Sequence, residues 1–437
     1  MSGGNALIED FITGRWKDPE TGKPPPDVPF RSILIEPSLD GREADLVASV
    51  GLTGRLAVVS DENTYEALGR RVEQALAAAG AVDSIVLDSP HADMATAKAL
   101  CERTTFADGL VAVGAGTVND LCKYASFLHD RGYAVFATAP SMNGYTTSTA
   151  SITVEGVKRS LKAQGARGAF FDLEVNAAAP VQLVRSGFGD CMCRSTAQVD
   201  WLLSHLLKGT YYSDSPFLIQ EAEEGPLLDS AAALVEGDLE AVSRLIRVLV
   251  LCGLGVCLTG TTHHGSMSEH LISHYIDMVA GERHPGTLHG EQVGVAALSM
   301  NRLQNQIVNA ETPPRVAATE IDEAAVLARF GPASGPACLR EFRNKALSEE
   351  EAEAINARLS SDWSSIRERL KAALLTPERL SGAMAAAGAP MTGESLGLPT
   401  GFYSEAVLHA REIRDRFSIL DVAGDADLLQ AFAAGEC

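Results

Sequence analysis

Between residues 55 and 138, short apolar runs alternate with stretches of helical period. Arg55-Leu-Ala-Val-Val-Ser60, Ser84-Ile-Val-Leu87, Gly109-Leu-Val-Ala-Val-Gly114 and Ala134-Val-Phe-Ala-Thr138 are brief and nearly continuous in aliphatic side chains. Runs of that kind mark strands buried on both faces. Between them, residues 64–79, 94–103 and 118–129 repeat apolar positions every three or four residues, which predicts helices. Strands alternating with helices predict a parallel sheet covered on both sides. After about residue 176 strand-like alternation stops. The segments 181–207, 226–235, 239–258, 267–280, 291–306, 321–329, 336–343, 349–368, 377–387 and 403–416 all read as helices. The expected architecture is an α/β domain over residues 1–176 followed by an all-α domain over residues 177–437. Residues 1–50 read as an N-terminal arm, with Lys23-Pro-Pro-Pro-Asp-Val-Pro29 extended.

Charge narrows the partners. With 57 acidic against 36 basic residues the net charge is −21. Recognition of a nucleic-acid backbone needs clustered Lys and Arg, so no nucleic-acid partner is expected. The N-terminal residues carry no basic and apolar leader pattern. The longest apolar run, residues 248–258, is short of the roughly 20 residues that cross a bilayer, and reads as a buried helix without membrane insertion. A cytoplasmic protein is the expectation, with a homo-oligomer left open. The eight cysteines fit reduced, buried thiols; neither Cys191 with Cys193 nor Cys252 with Cys257 has a matching pair at zinc-site spacing.

Four segments carry candidate chemistry. Gly114-Ala115-Gly116-Thr117-Val118 leaves a predicted strand and opens a predicted helix. Glycine lets a backbone approach a pyrophosphate, and a helix start supplies amide donors; the alternative is a tight turn with no ligand. Thr138-Ala-Pro-Ser141-Met-Asn143-Gly-Tyr145-Thr-Thr147 follows another strand at the end where open α/β sheets bind ligands; the alternative is a polar turn. Gly187-Phe188-Gly189-Asp190 reads in isolation as a turn with Asp190 capping a following helix. Finally, His270 and His274 stand four residues apart, on one face of a helix, and His289 follows fifteen residues later. Imidazoles clustered with a carboxylate are the donors of a catalytic metal site with open positions. Glu269 and Glu291 fit either partners that orient these imidazoles or surface charges.

With these segments in view, the chain resembles the glycerol-1-phosphate dehydrogenases, within the wider glycerol dehydrogenase, iron-containing alcohol dehydrogenase and dehydroquinate synthase superfamily. The resemblance runs from about residue 30 to residue 424. It is carried by Gly114-x-Gly116-Thr117-Val118-x-Asp120, Thr138-Ala-Pro-Ser141-Met-x-Gly144-Tyr145, Gly187-x-Gly189-Asp190 continuing to Asp200-Trp201, Ser268-Glu269-His270 with Ser273-His274, His289-Gly290-Glu291-Gln292-Val293-Gly294 and Ile413-Arg-Asp-Arg416-Phe417. It implies a nucleotide-binding domain, a helical domain and an active site in the cleft between them. It places Asp190, His270 and His289 on the ligands of one divalent metal, zinc foremost with nickel and iron also suited. It places His274 and Asn143 on substrate-contacting, catalytic positions, with Asp190 shared between metal and catalysis. NAD or NADP is implied on Gly114, Ala115, Gly116, Thr117 and Val118, on Thr138, Ser141 and Thr147, and on Asp61 near the adenosine ribose.

Two departures stand out. The family carries Asp where this chain has Asn143, so that position keeps a hydrogen-bonding side chain but cannot take a proton. Cys191-Met-Cys193-Arg194 replaces an apolar-apolar-Ser-Lys sequence, with Arg194 keeping the positive charge. The implied reaction is reduction of dihydroxyacetone phosphate to sn-glycerol 1-phosphate by hydride transfer at C2. The sequence does not identify the residues that bind the substrate phosphate; Arg194 and Arg283 are the cations it offers. A glycerol-type dehydrogenase on the same scaffold is the nearest alternative; a sugar-phosphate cyclase of the dehydroquinate synthase type is disfavoured by Asp190 as first ligand.

Overall fold

The computed structural model describes residues 3–154 and 157–436, which form two compact units: residues 1–187 with 218–260, and residues 188–217 with 261–437. The first is built on eight strands: β1 (Ser32–Glu36), β2 (Leu56–Asp61), β3 (Val82–Leu87), β4 (Gly109–Gly114), β5 (Tyr133–Ala137), β6 (Thr149–Val154), β7 (Val157–Lys162) and β8 (Gly168–Asp172). Six of them make one parallel sheet in the order β1-β8-β5-β4-β2-β3, and β6 pairs with β7 in an antiparallel hairpin. The central strands β4, β5 and β8 are buried at every position, as their unbroken apolar sequences require.

Six helices matter to the sites: α1 (Gly116–Leu128), α2 (Val181–Cys191), α3 (Cys193–Lys208), α4 (Leu239–Thr259), α5 (Ser268–Val279) and α6 (His289–Asn309). The expected class, a parallel α/β region followed by a helical one, is the observed one. Residues 1–50 are more ordered than an arm. They contain a helix at Gly3–Ile12, the edge strand β1 and a helix at Glu43–Ser49, while the proline-rich stretch stays irregular. Strands β1 and β8 are only five residues each, too short for a period-2 signal to register, yet they pair from Ser32 with Gly168 to Glu36 with Asp172. Near the C-terminus the helix expected over 403–416 ends at His409 and gives way to a 3-10 turn at Ala410–Glu412.

Helix α4 has the length and apolar composition of a membrane span, and 72% of its apolar window is buried inside the protein. With the short helices at Glu221–Asp229 and Ala231–Val235, it groups with the sheet. Thr146 Oγ1 donates to Val250 O at 3.0 Å. Gly253 is what allows that contact, since a Cβ there would lie 2.1 Å from Thr146 Oγ1 and 2.7 Å from Asn143 O. The helix thereby braces the loop that leaves β5.

Parallel pairing also brings the two candidate cofactor loops together. Gly114 is in register with Ala137 on the neighbouring strand, and Thr138 N donates to Gly114 O at 3.3 Å. The fully buried Lys123 of α1 then pins the second loop. Its Nζ donates to Gly144 O (2.5 Å), Thr149 O (3.0 Å), Thr147 Oγ1 (3.3 Å) and Asp120 Oδ1 (3.4 Å). Asp120 Oδ2 accepts from Ser151 N at 3.0 Å, so the pair also holds the start of the hairpin. Burial lowers the lysine's proton affinity and the aspartate opposes that shift. Replacing Lys123 by Met leaves Asp120 without its cation and removes the ammonium donor from three loop oxygens. The expected cost is about 3–5 kcal/mol in urea unfolding, and a Lys123→Met protein within 1 kcal/mol of the parent would show that the buried ammonium does not hold this loop.

Candidate functional site

In the first unit the residues expected at a cofactor sit along the C-terminal edge of the sheet. Gly114 ends β4, Ala115 occupies the N-cap position of α1 in extended conformation, and Gly116, Thr117 and Val118 form its first turn. No side chain caps α1, whose leading amides a helix cannot satisfy internally. A Cβ on Gly114 would come 2.6 Å from Val118 Cβ, which explains the residue choice without any ligand. Asp61 ends β2 and caps the following helix, its Oδ1 accepting from Thr64 N at 2.8 Å. Thr138 is buried; Thr147 is also buried and its hydroxyl lies 3.1 Å from Gly144 O and 3.2 Å from Thr149 O, so it ties the loop to itself. Tyr145 donates to Ala139 O at 2.8 Å and holds the loop around Ser141. Asn143 opens a 3-10 turn and its Nδ2 lies 3.5 Å from Cys252 Sγ on α4.

In the second unit the helical spacing of the histidines works as anticipated. His270 and His274 lie on one face of α5 with ring centroids 6.2 Å apart, and His289, the first residue of α6, lies 5.2 Å and 5.8 Å from them. Asp190 completes the group: one ligand atom each from Asp190, His270 and His289 lie within 4.8 Å of one another. His270 Nε2 is 3.6 Å from Asp190 Oδ1.

Asp190 reaches this place by a route unlike the turn read from its flanking glycines. It lies in the last turn of α2, inside the helix, and does not cap one. Gly189 serves as a contact surface instead. A Cβ there would lie 2.2 Å from Gly290 O and 3.5 Å from Gly294 Cα. Backbone therefore packs directly on backbone between α2 and α6, and the neighbours of these glycines, Asp190 and His289, are set side by side.

The imidazoles are oriented from behind. His270 Nδ1 lies 2.9 Å from Glu269 Oε1, which leaves Nε2 pointing towards Asp190. Glu269 is fully buried and also accepts from Met267 N (2.7 Å) and Thr196 Oγ1 (3.3 Å). It is an orienting group, not a surface charge. Burial pulls the His270 pKa down, but hydrogen bonds from Asp190 and Glu269 outweigh it and raise it to about 9. His274 goes the other way: burial, then the charges of His289, Arg414 and His270, hold it well below the usual imidazole range, so it is neutral. His289 Nδ1 is 3.0 Å from Ser273 Oγ.

Asp200, one helix away, went unassigned in the sequence beyond its place in a motif. It is fully buried and accepts from Ser268 N (3.2 Å), Ser268 Oγ, Ile419 N (3.0 Å) and Gln304 Nε2 (3.0 Å). Burial and the neighbouring Glu269 push its carboxyl up to about 7 against the pull of these donors. Lys123 and Asp200 were both hidden for the same reason: a lone charge within a helix usually faces solvent, and nothing local marks it as buried.

The donors suit a divalent cation: one carboxylate and two imidazoles converge, with room for further ligands. Cys193, Glu269 and His270 form a second such group. There Glu269 is already taken up by its three donors. The Cys193 thiol lies 3.0 Å from Asp190 O, as expected of a structural thiol. The two arginines offered for a substrate phosphate each have a contact within the second unit. Arg194 donates to Phe217 O at 3.1 Å, and Arg283 donates to Val279 O at 3.1 Å while lying 4.5 Å from the centre of the Phe402 ring.

Packing at Gly189 makes a direct prediction. Gly189→Ala should force α2 off α6 and lower divalent-metal affinity at least tenfold by competition with a chelator, since ligand geometry tolerates little displacement. Unchanged affinity would show that the glycine contact does not place Asp190.

The iron-containing alcohol dehydrogenase family model matches residues 34–180. Over 273 residues the chain is 31% identical to the glycerol-1-phosphate dehydrogenase [NAD(P)+] of Thermococcus kodakarensis, covering 62% of this chain and 76% of that one. It is 27% identical over 382 residues to the enzyme of the same name from Bacillus velezensis, covering 84% of each. Among solved structures, glycerol dehydrogenase from Schizosaccharomyces pombe superposes with a TM-score of 0.62 at 16% identity, covering 93% of this chain and 90% of that one, a likeness of fold. With fold, ligand cluster and relatives in agreement, the chain belongs to the glycerol-1-phosphate dehydrogenase family of the iron-containing alcohol dehydrogenases.

Proposed function

We propose that this protein is a metal-dependent, NAD(P)H-linked oxidoreductase interconverting dihydroxyacetone phosphate and sn-glycerol 1-phosphate. The observation that carries the reading is the convergence of Asp190, His270 and His289 beside the neutral ring of His274. Relatives named for this activity give the substrate.

Roles follow from chemistry. Asp190, His270 and His289 would hold one divalent cation, with zinc the first expectation and nickel and iron also compatible with the donors. Such a cation withdraws electron density from a ketone oxygen and stabilises the charge that develops there. A bound reduced nicotinamide would supply the hydride. His274 is the proton group. Its low proton affinity keeps it neutral at pH 7, so it relays a proton to the new hydroxyl rather than sitting as a fixed cation. The amides at the start of α1 and the loop from Thr138 to Thr147 take the cofactor's pyrophosphate, and Asp61 the ribose hydroxyls. Asn143 contributes an amide where relatives place a carboxylate, so it can bind a substrate hydroxyl but not exchange a proton with it. That substitution is the one feature favouring an uncharged polyol as substrate.

Two measurements test the reading. Metal-reconstituted protein should oxidise NADH or NADPH in the presence of dihydroxyacetone phosphate, and the product should not react with an enzyme specific for sn-glycerol 3-phosphate. No turnover of any three-carbon phosphate would remove the substrate assignment, and turnover of glycerol alone would select the polyol reading. Asp190→Ala should lose bound metal by mass spectrometry. His274→Gln should keep its metal and lose about 10²–10⁴ in kcat; metal lost along with activity would make His274 a ligand instead.

A further inference from the structure

His270 and His289 are supported in different ways. Behind His270 stands a carboxylate in direct contact, Glu269. Behind His289 stands a chain of neutral groups. His289 Nδ1 is 3.0 Å from Ser273 Oγ, Ser273 Oγ donates to Gln292 Oε1 at 2.7 Å, and Gln292 Nε2 donates to Asp277 Oδ1 at 3.3 Å and to Thr287 Oγ1 at 3.2 Å. Ser273 and Gln292 are fully buried. At the far end His284 Nδ1 accepts from Gly286 N at 3.0 Å, which leaves its proton on Nε2, 3.2 Å from the same Asp277 oxygen; Gln292 Nε2 lies 3.0 Å from that His284 Nε2, so two donors converge on the one Asp277 oxygen.

Each link follows from counting protons. Asp277 is an anion and accepts only, so the Gln292 amide must turn its NH2 towards it and its carbonyl oxygen towards Ser273. The reverse orientation would set two oxygens against each other. Ser273 has one proton, and it is spent on that carbonyl oxygen. Its lone pair therefore faces His289, whose Nδ1 must be the donor. The proton of His289 is thus on Nδ1, and Nε2 carries the lone pair.

We infer that Ser273, Gln292 and Asp277 are positioning residues that select the Nδ1–H tautomer of His289 and so present its Nε2 to a divalent cation. This goes beyond the ligand set and rests on the reading of His289 as a ligand. None of the three touches substrate or cation; each acts through the next. The anchoring carboxylate stands three groups away from the imidazole, whereas Glu269 touches His270 directly.

The test reads tautomer and affinity, not turnover. Metal-free protein labelled with 15N-histidine, at about pH 8, above the ordinary imidazole range, should show His289 protonated at Nδ1 in long-range 1H–15N spectra. Ser273→Ala and Gln292→Leu should mix the tautomers and weaken zinc binding about 10–100-fold by chelator competition. Ser273→Thr, which keeps the hydroxyl, should restore both. Asp277→Leu should do what Gln292→Leu does, because it frees the amide to flip. An Nε2–H tautomer in the parent protein, or zinc affinity within twofold of the parent in both Ser273→Ala and Gln292→Leu, overturns the inference. If the parent binds no divalent cation, the ligand reading fails, while the tautomer spectra still decide the relay.

Discussion

Much of the second unit's chemistry depends on one buried carboxylate. Asp200 draws donors from three directions: the backbone and hydroxyl of Ser268, the amide of Gln304 on α6, and the backbone of Ile419 near the chain's end. Helix α5 has no capping side chain of its own. Its leading backbone N–H groups, which a helix cannot satisfy internally, are met by Asp200 at Ser268 and by Glu269 at Met267. The start of α5 is thereby fixed in register, and with it the direction in which His270 and His274 leave the helix. A negative charge at a helix N-terminus is also favoured by the peptide dipoles.

Burying charge in this way is not an efficient route to stability, because desolvation offsets most of the attraction. Its value is geometric. A hydrophobic contact tolerates sliding, whereas a carboxylate with four donors has one satisfactory arrangement. Lys123 plays the same part in the first unit, where a buried ammonium with four acceptors holds the loop from Asn143 to Thr149 against α1. Each unit thus anchors its chemistry-bearing segment with one inaccessible charge of opposite sign. Arg416 is a further case on the approach to α5, where it binds Ser266 O and Thr262 Oγ1 while burial lowers its pKa to about 10.

What could be seen in the sequence was whatever repeats. Continuous aliphatic runs gave β2 to β5, the four-residue spacing gave His270 and His274, and the segment 94–103 was bounded correctly at both ends. Closeness to those two histidines drew in His289 and, with it, Asp190, and the resemblance placed both on the metal-ligand positions. Local reading went astray where a residue's role depends on a distant partner. Gly187 and Gly189 look like a turn because glycine usually frees the backbone; here they sit in a helix and their lack of a side chain admits Pro140 and Gly290. Strands β1 and β8 were invisible because each is a five-residue edge or insertion whose identity depends on the other. Lys123 and Asp200 sat unremarked because sequence position does not distinguish a buried charge from a solvated one.

The electrostatics of the histidine cluster explain why a doubly charged cation fits it. Asp190 and Glu269 bring two negative charges to His270 from opposite sides of one ring. Both carboxylates favour a proton on that ring, which is why its pKa rises to about 9 although it is buried. A divalent cation replaces that proton and balances both carboxylates at once, leaving the imidazole neutral and coordinating. A monovalent ion would leave one buried charge uncompensated, and a trivalent ion would reverse the sign. His274 and His289 add no charge to this sum while neutral, which keeps the balance intact. In the proposed site the pair of carboxylates would favour a divalent charge, and the softness of the donors would then choose among zinc, nickel and iron.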